Sequence, residues 1–174
     1  MNTSDVADAI DRTFAILLAA IPMGMGLLAF LNNMSDWTRS VHEVITPLLT
    51  MEALRDSPRM IWRAFPPGLA PFCYVFVTIF ELAVGIVAAV GVGRMLRKFR
   101  ASRADFVAGV HIAQRACTLG MITWLLFFFV VGGDWFLAWK NKNLLFIQSD
   151  SLMYVAAATF VLIALRATEA RLRA

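Results

Sequence analysis

Residues 71–93 form an apolar run carrying a single charge, Glu81, near its middle. At 1.5 Å per residue the run is about 34 Å long as a helix, enough to cross a hydrocarbon core of roughly 30 Å. An ionised carboxylate at that depth costs several kcal/mol on most scales, about 3 or more, unless it has a partner, a proton or water beside it. The remaining helices must therefore pack so that Glu81 does not face lipid. This one stretch makes the chain a membrane protein with a polar point inside it.

The rest of the chain agrees. Of 174 residues 60% are hydrophobic, and the mean hydropathy is +0.70. That is more apolar surface than a soluble domain of this size can hide. Four spans fit, at about 12–31, 71–93, 114–133 and 146–166, giving one integral membrane domain over 1–174. The expected fold is an all-α membrane protein, a four-transmembrane-helix bundle with a short-helix outer lid over residues 32–70. The first span is read as retained. Asp5, Asp8 and Asp11 outnumber Arg12 before it, whereas a cleaved signal begins with positive charge.

Ten of the sixteen Lys and Arg fall at the two termini or between spans 2 and 3, with Arg115 counted at the edge of span 3. The cluster Arg94, Arg97, Lys98, Arg100 and Arg103 lies where the positive-inside rule acts most strongly. Both termini and the region 94–115 are expected to be cytoplasmic, in a bacterial inner membrane. The net charge of +4 is assigned to anionic headgroups. The lipid bilayer is the expected partner, with a membrane-protein partner or a homo-oligomer beside it, and nucleic acid is not.

Within the lid, Val41, Val44, Ile45, Leu48 and Leu49 follow the spacing of an amphipathic helix. Arg39, His42 and Glu43 take the other face. Pro47 interrupts this register, which allows either one kinked helix or two helices with Thr46 capping the second. A further short turn is expected from Ser57-Pro58. In span 1, Ala20-x-x-x-Gly24 offers a close helix approach and Pro22 a bend. In span 2, Tyr74, Thr78, Glu81, Gly85 and Ala88 form one polar or small stripe turned toward the bundle. His111, Gln114 and Arg115 open span 3 and can reach headgroups. Span 4 has two possible starts. The favoured one begins near Leu144 and turns Gln148, Ser149 and Asp150 toward the bundle. Cys73 and Cys117 lie too far apart in depth for a disulfide.

Spans 1 and 3 end on the same side, followed by Asn32, Asn33 and Asp36 and by Gly132-Gly133-Asp134-Trp135. These residues can form a polar pocket under the lid, with Arg63 pairing the carboxylate of Asp36 or Asp134. Equally, they can cap helix ends. Glu81 has two readings as well. It is a packing determinant hydrogen-bonded to Thr78, Thr123, Tyr154 or the Trp124 indole, or it titrates in a pathway. The sequence shows no metal spacing, phosphate loop or nucleophile elbow, and its two histidines sit at opposite ends, so no cofactor and no catalytic residue is expected.

The strings Leu31-Asn32-Asn33…Asp36, Trp62-Arg63-Ala64, Phe80-Glu81 and Gly132-Gly133-Asp134-Trp135-Phe136…Trp139 together resemble a bacterial family described as predicted small integral membrane proteins. The likeness runs over roughly residues 14–165. It implies four helices and no established activity. The expected role is a non-enzymatic accessory or interaction component. The alternative is a small-solute or proton-coupled carrier using Glu81.

Overall fold

The structure, a computed structural model, describes residues 3–57 and 59–173. Four long helices dominate it. They are α1 (Thr3–Ser35), α2 (Ala70–Arg97), α3 (Arg103–Met121) and α4 (Phe146–Arg173). From Met121 the chain runs on without a break into wider turns, Ile122–Trp135, whose main-chain bonds reach five residues back. Consecutive helices pack side by side, and α1 also packs on α4 and α3, closing a four-helix bundle. All four are long and apolar enough to cross a membrane.

Burial follows what a bilayer requires. Large apolar side chains such as Phe14, Leu17, Phe72, Ile79, Phe160 and Ile163 lie on the outside. Small residues occupy the seams. On α1 the buried positions are Arg12, Ala15, Ala19, Pro22, Gly26 and Ala29, a steps-of-three-and-four stripe that the partly buried Asn33 continues. On α2 they include Tyr74, Thr78, Glu81, Gly85 and Ala88, the stripe expected from the sequence.

The two stripes meet at Gly26 and Gly85. A Cβ on Gly85 would sit 2.7 Å from the Leu27 nitrogen, and one on Gly26 would strike the main chain of Gly85 and Glu81. Only glycine permits backbones this close. The Ala20/Gly24 approach expected from the sequence is therefore corrected. Gly24 has no such neighbour within 4 Å, because the face of α1 that meets α2 is the one bearing Arg12, Gly26 and Asn33. Helix α1 passes unbroken through Pro22.

The helices outrun the spans read from hydropathy. Between α2 and α3 only residues 98–102 are non-helical, so helix continues past the ends of the spans 71–93 and 114–133. The Ser102 hydroxyl caps α3 by accepting from the Asp105 N–H at 3.2 Å, so charged residues remain helical beyond the apolar layer. Helix α4 begins at Phe146, earlier than Ser149. Ser149 and Asp150 are exposed, while the polar residues Gln148 and Ser151 turn inward, which corrects the inward placement of Ser149 and Asp150.

The lid forms as short helical pieces. Val41, Leu48 and Leu49 are buried and Val44 and Ile45 partly so, while His42 and Glu43 are exposed, as the periodicity predicts. The backbone stays helical at Ile45 and Thr46, the two residues before Pro47. The chain widens over Ser40–Ile45 and continues as Thr46–Leu49, and Thr46 Oγ1 donates to the Val41 carbonyl at 2.7 Å instead of capping. The wide turns accommodate a ring that an ordinary turn would push against the preceding carbonyl. The turn expected at Ser57-Pro58 involves Pro58, which lies outside the described residues. Ile61–Arg63 and Pro67–Leu69 follow as single tight turns.

Candidate functional site

Glu81 is 3% exposed. It is held by a residue of the neighbouring helix, because Asn33 Nδ2 donates to Glu81 Oε2 at 2.5 Å. The same asparagine accepts at its carbonyl from the Tyr74 hydroxyl, at 3.0 Å. Side chain and main chain of Asn33 thus join the lid-side end of α1 to two positions on α2 that lie about two turns apart. An amide N–H can donate to a neutral carboxyl as well as to an ionised one, more strongly to the ion, so this bond holds the position of Glu81 in either state.

The partners named from sequence are mostly engaged elsewhere. Thr78 and Thr123 bond carbonyls of their own helices, Tyr74 at 2.7 Å and Leu119 at 2.9 Å. Tyr154 stacks on Trp124, ring centroids 4.6 Å apart. Of the partners named, the Trp124 indole is the one whose hydrogen bonding bears on the Glu81 carboxyl. Asn33 was missed as a partner because α1 was taken to end at residue 31. The helix runs to Ser35, which keeps Asn33 on the buried stripe.

The polar collar expected under the lid does not assemble as one pocket. Asn32, Asp36 and Asp134 are exposed. Asp36 pairs with Arg39 at 3.9 Å, and Arg39 with Glu43 at 3.0 Å. The diglycine faces α4, where Ile147 lies against Gly132 and Gln148 against Gly133. It does not receive the Asn33 end of α1. Since α4 fills the space left by the missing side chains, the expected meeting of spans 1 and 3 at Asn33 and Gly133 is replaced by α1–α2 and α3–α4 pairs.

Arg63 forms a separate stitch. It donates to the main-chain carbonyl of Asp134 at 3.3 Å, not to a carboxylate, which corrects the expected pairing with Asp36 or Asp134. Its guanidinium lies 5.9 Å from the ring centres of both Trp62 and Trp135, which meet edge to face. This three-cornered cation–π cluster ties the lid to the end of the wide turns Ile122–Trp135. Phe65 on Phe136 and Trp37 on Tyr74 fasten the lid at two further points.

The opposite end holds a network that sequence reasoning did not find. Arg12, 5% exposed, donates to Asp8 at 2.7 Å and to the carbonyls of Phe99 and Ala101 at 2.8 and 3.0 Å. It lies 5.0 Å from the centre of the Phe106 ring. These carbonyls follow the C-terminus of α2, where a cation is also favoured by the helix dipole. Asp8 pairs in addition with Arg103 at 3.0 Å, and Asp11 with Arg171 at 2.8 Å. Glu169 gathers His111 and Gln114 at 2.8 Å and Arg173 at 2.7 Å. His111 and Gln114 were expected to reach for headgroups, and instead they hold α4 to α3. The available signal was the continuation of the α1 stripe back through Arg12 to Asp8.

The α1–α2 clasp yields a prediction. Glu81→Gln keeps a carbonyl oxygen facing Asn33 and is expected to melt within about 1 kcal/mol of the parent, while Glu81→Ala is expected to lose about 1–2 kcal/mol. Thermal unfolding in a mild detergent reads the difference. A Gln variant as unstable as Ala would mean that the carboxylate is required as a charge.

A family model described as "Predicted small integral membrane protein (DUF2165)" matches residues 11–168. No curated protein and no solved structure matches the chain.

Proposed function

The chain belongs to the family of predicted small integral membrane proteins, and from that premise we propose that it is a non-enzymatic accessory component of a bacterial inner membrane that engages another membrane protein or its own copy. The observation that carries this reading is the locked α1–α2 pair. Among the described residues Glu81 is the one buried carboxylate, and it is held by Asn33 of the adjoining helix. One turn further along α2, the two backbones touch at Gly26 and Gly85. A carrier's coupling carboxylate must exchange partners while the helices around it part. Here the donor belongs to a helix fastened by a contact with no side chain between, which suits a fixed frame better than an alternating one.

The proposed orientation puts both termini in the cytoplasm. The end of the bundle with the termini carries ten Lys or Arg against five Asp or Glu, and the lid end six against six. Reporter fusions at Arg100 and Asp56 are expected to read opposite sides, with Arg100 inside. Extraction in a gentle detergent, followed by mass measurement of the intact complex, tests the role. A stoichiometric protein partner or a dimer is expected. A monomer that retains a small solute, and whose uptake activity disappears in a folded Glu81→Gln variant, would replace this reading with the carrier.

A further inference from the structure

The bundle end carrying the termini has a use for its charge beyond orientation. Between the ends of α3 and α4 lies a cavity of about 400 Å³, rimmed by Arg103, His111 and Arg173. Its floor is apolar, formed by Val107 and Ala108 of α3 and Leu172 of α4. We propose that this groove holds the phosphate headgroup of an anionic phospholipid, with the glycerol and first methylenes on the apolar floor.

Three observations converge on that occupant. The first is donor geometry. Arg103 is anchored through Nε to Asp8, and Arg173 through Nη2 to Glu169, which fixes both guanidinium groups at the rim. Their side chains remain 47% and 61% exposed, leaving other N–H groups of each fork for phosphate oxygens. The two carboxylates that pair with the rim arginines are already satisfied. Asp8 is shared by Arg12 and Arg103, and Glu169 by His111, Gln114 and Arg173, so neither presents an unmatched negative charge to a phosphate.

The second is size and chemistry. A space of about 400 Å³ is some thirteen times the roughly 30 Å³ share of one water, far more than a bare phosphate needs. An apolar floor gains nothing from an inorganic ion and does gain from acyl carbon. The third is position. The groove is lined by the charged first turns of α3 and the last turn of α4, on the more basic end of the molecule, where anionic headgroups are the nearest counter-charge for a membrane helix end.

The test uses the full chain in mild detergent, with lipid retention followed by intact-complex mass measurement. Phosphatidylglycerol is expected to be retained at least about tenfold better than phosphatidylcholine, and the preference should fall close to unity in the Arg103→Gln/Arg173→Gln double variant. Because those arginines also pair with Asp8 and Glu169, Ala108→Trp serves as a second variant. It fills the floor without removing charge and should reduce phosphatidylglycerol retention alike. The double variant Arg94→Gln/Arg115→Gln, on exposed residues of the same end outside the groove, should leave the preference unchanged. A preference that survives in both groove variants overturns the proposal. So does one lost equally in Arg94→Gln/Arg115→Gln, which would assign it to general surface charge. Displacement of the lipid by millimolar inorganic phosphate would reassign the groove to a free anion.

Discussion

Leucine at Gly26 is expected to separate α1 from α2 and prevent the folded protein from accumulating. A Cβ there meets the main chain of Gly85 and Glu81, and main chain cannot move aside as the tip of a flexible side chain can. Overpacking a core ordinarily costs about 1–3 kcal/mol. The cost here lies at or above the top of that range, because moving the helices apart also stretches the Asn33–Glu81 hydrogen bond and leaves a buried carboxylate without its donor. Alanine should be milder but still destabilising. Gly24→Leu is the matched control, since no neighbouring helix atom lies within 4 Å of its Cβ position. Yield of folded protein and elution profile in one detergent should therefore rank parent, Gly24→Leu, Gly26→Ala and Gly26→Leu in falling order, with melting temperature following the same order among the variants that accumulate. Equal behaviour of the two leucine variants would mean that α1 and α2 are not apposed along this face.

Arg12→Met is expected to cost about 3 kcal/mol, in the range for removing one member of a buried charge pair. Methionine fills similar volume, so the loss isolates the polar contacts. These are the Asp8 pair and the donations to the carbonyls of Phe99 and Ala101 beyond the end of α2. Arg12→Lys should recover only part, since one ammonium cannot span Asp8 and the turn as a planar fork does. Arg115→Met, on an exposed position, should shift the melting temperature little. If Arg12→Met and Arg115→Met melt together, the buried fork contributes nothing and the end of α2 is held by other contacts.

Much of the architecture could be read directly. The number of membrane helices follows from hydropathy, the inward stripe of α2 from the period of Tyr74, Thr78, Glu81, Gly85 and Ala88, and the covering face of the lid from Val41, Leu48 and Leu49. What could not be read depends on depth and register between helices. Hydropathy locates the apolar layer, whereas helix ends are decided by caps such as Ser102, so Asn33 looked like a loop residue when it was the last inward position of α1. Helix α1 carries Ala15-x-x-x-Ala19 as well as Ala20-x-x-x-Gly24. Only the polar residues at either end of the stripe, Arg12 and Asn33, distinguish the right one, and their importance depends on knowing that both are buried or nearly so. Arg63 shows the same limit. Its charge suggested a carboxylate, but its neighbours are two indoles and a main-chain carbonyl, a combination no spacing rule encodes.

The ion pairs around the chain's beginning also set an order of assembly. A polypeptide emerges from the ribosome N-terminus first. Arg12 therefore leaves it with only Asp8 for company, and its acceptors at Phe99 and Ala101 arrive 87 and 89 residues later. Its desolvation is not matched until the first hairpin has been inserted and has turned back. Asp11 waits longer, for Arg171, 160 residues on. Glu169 reaches His111 and Gln114 only with the last helix. A chain stalled before α4 would leave Asp11, His111 and Gln114 unpaired together at one bundle end, a cluster of exposed polar groups by which an unfinished copy differs from a finished one.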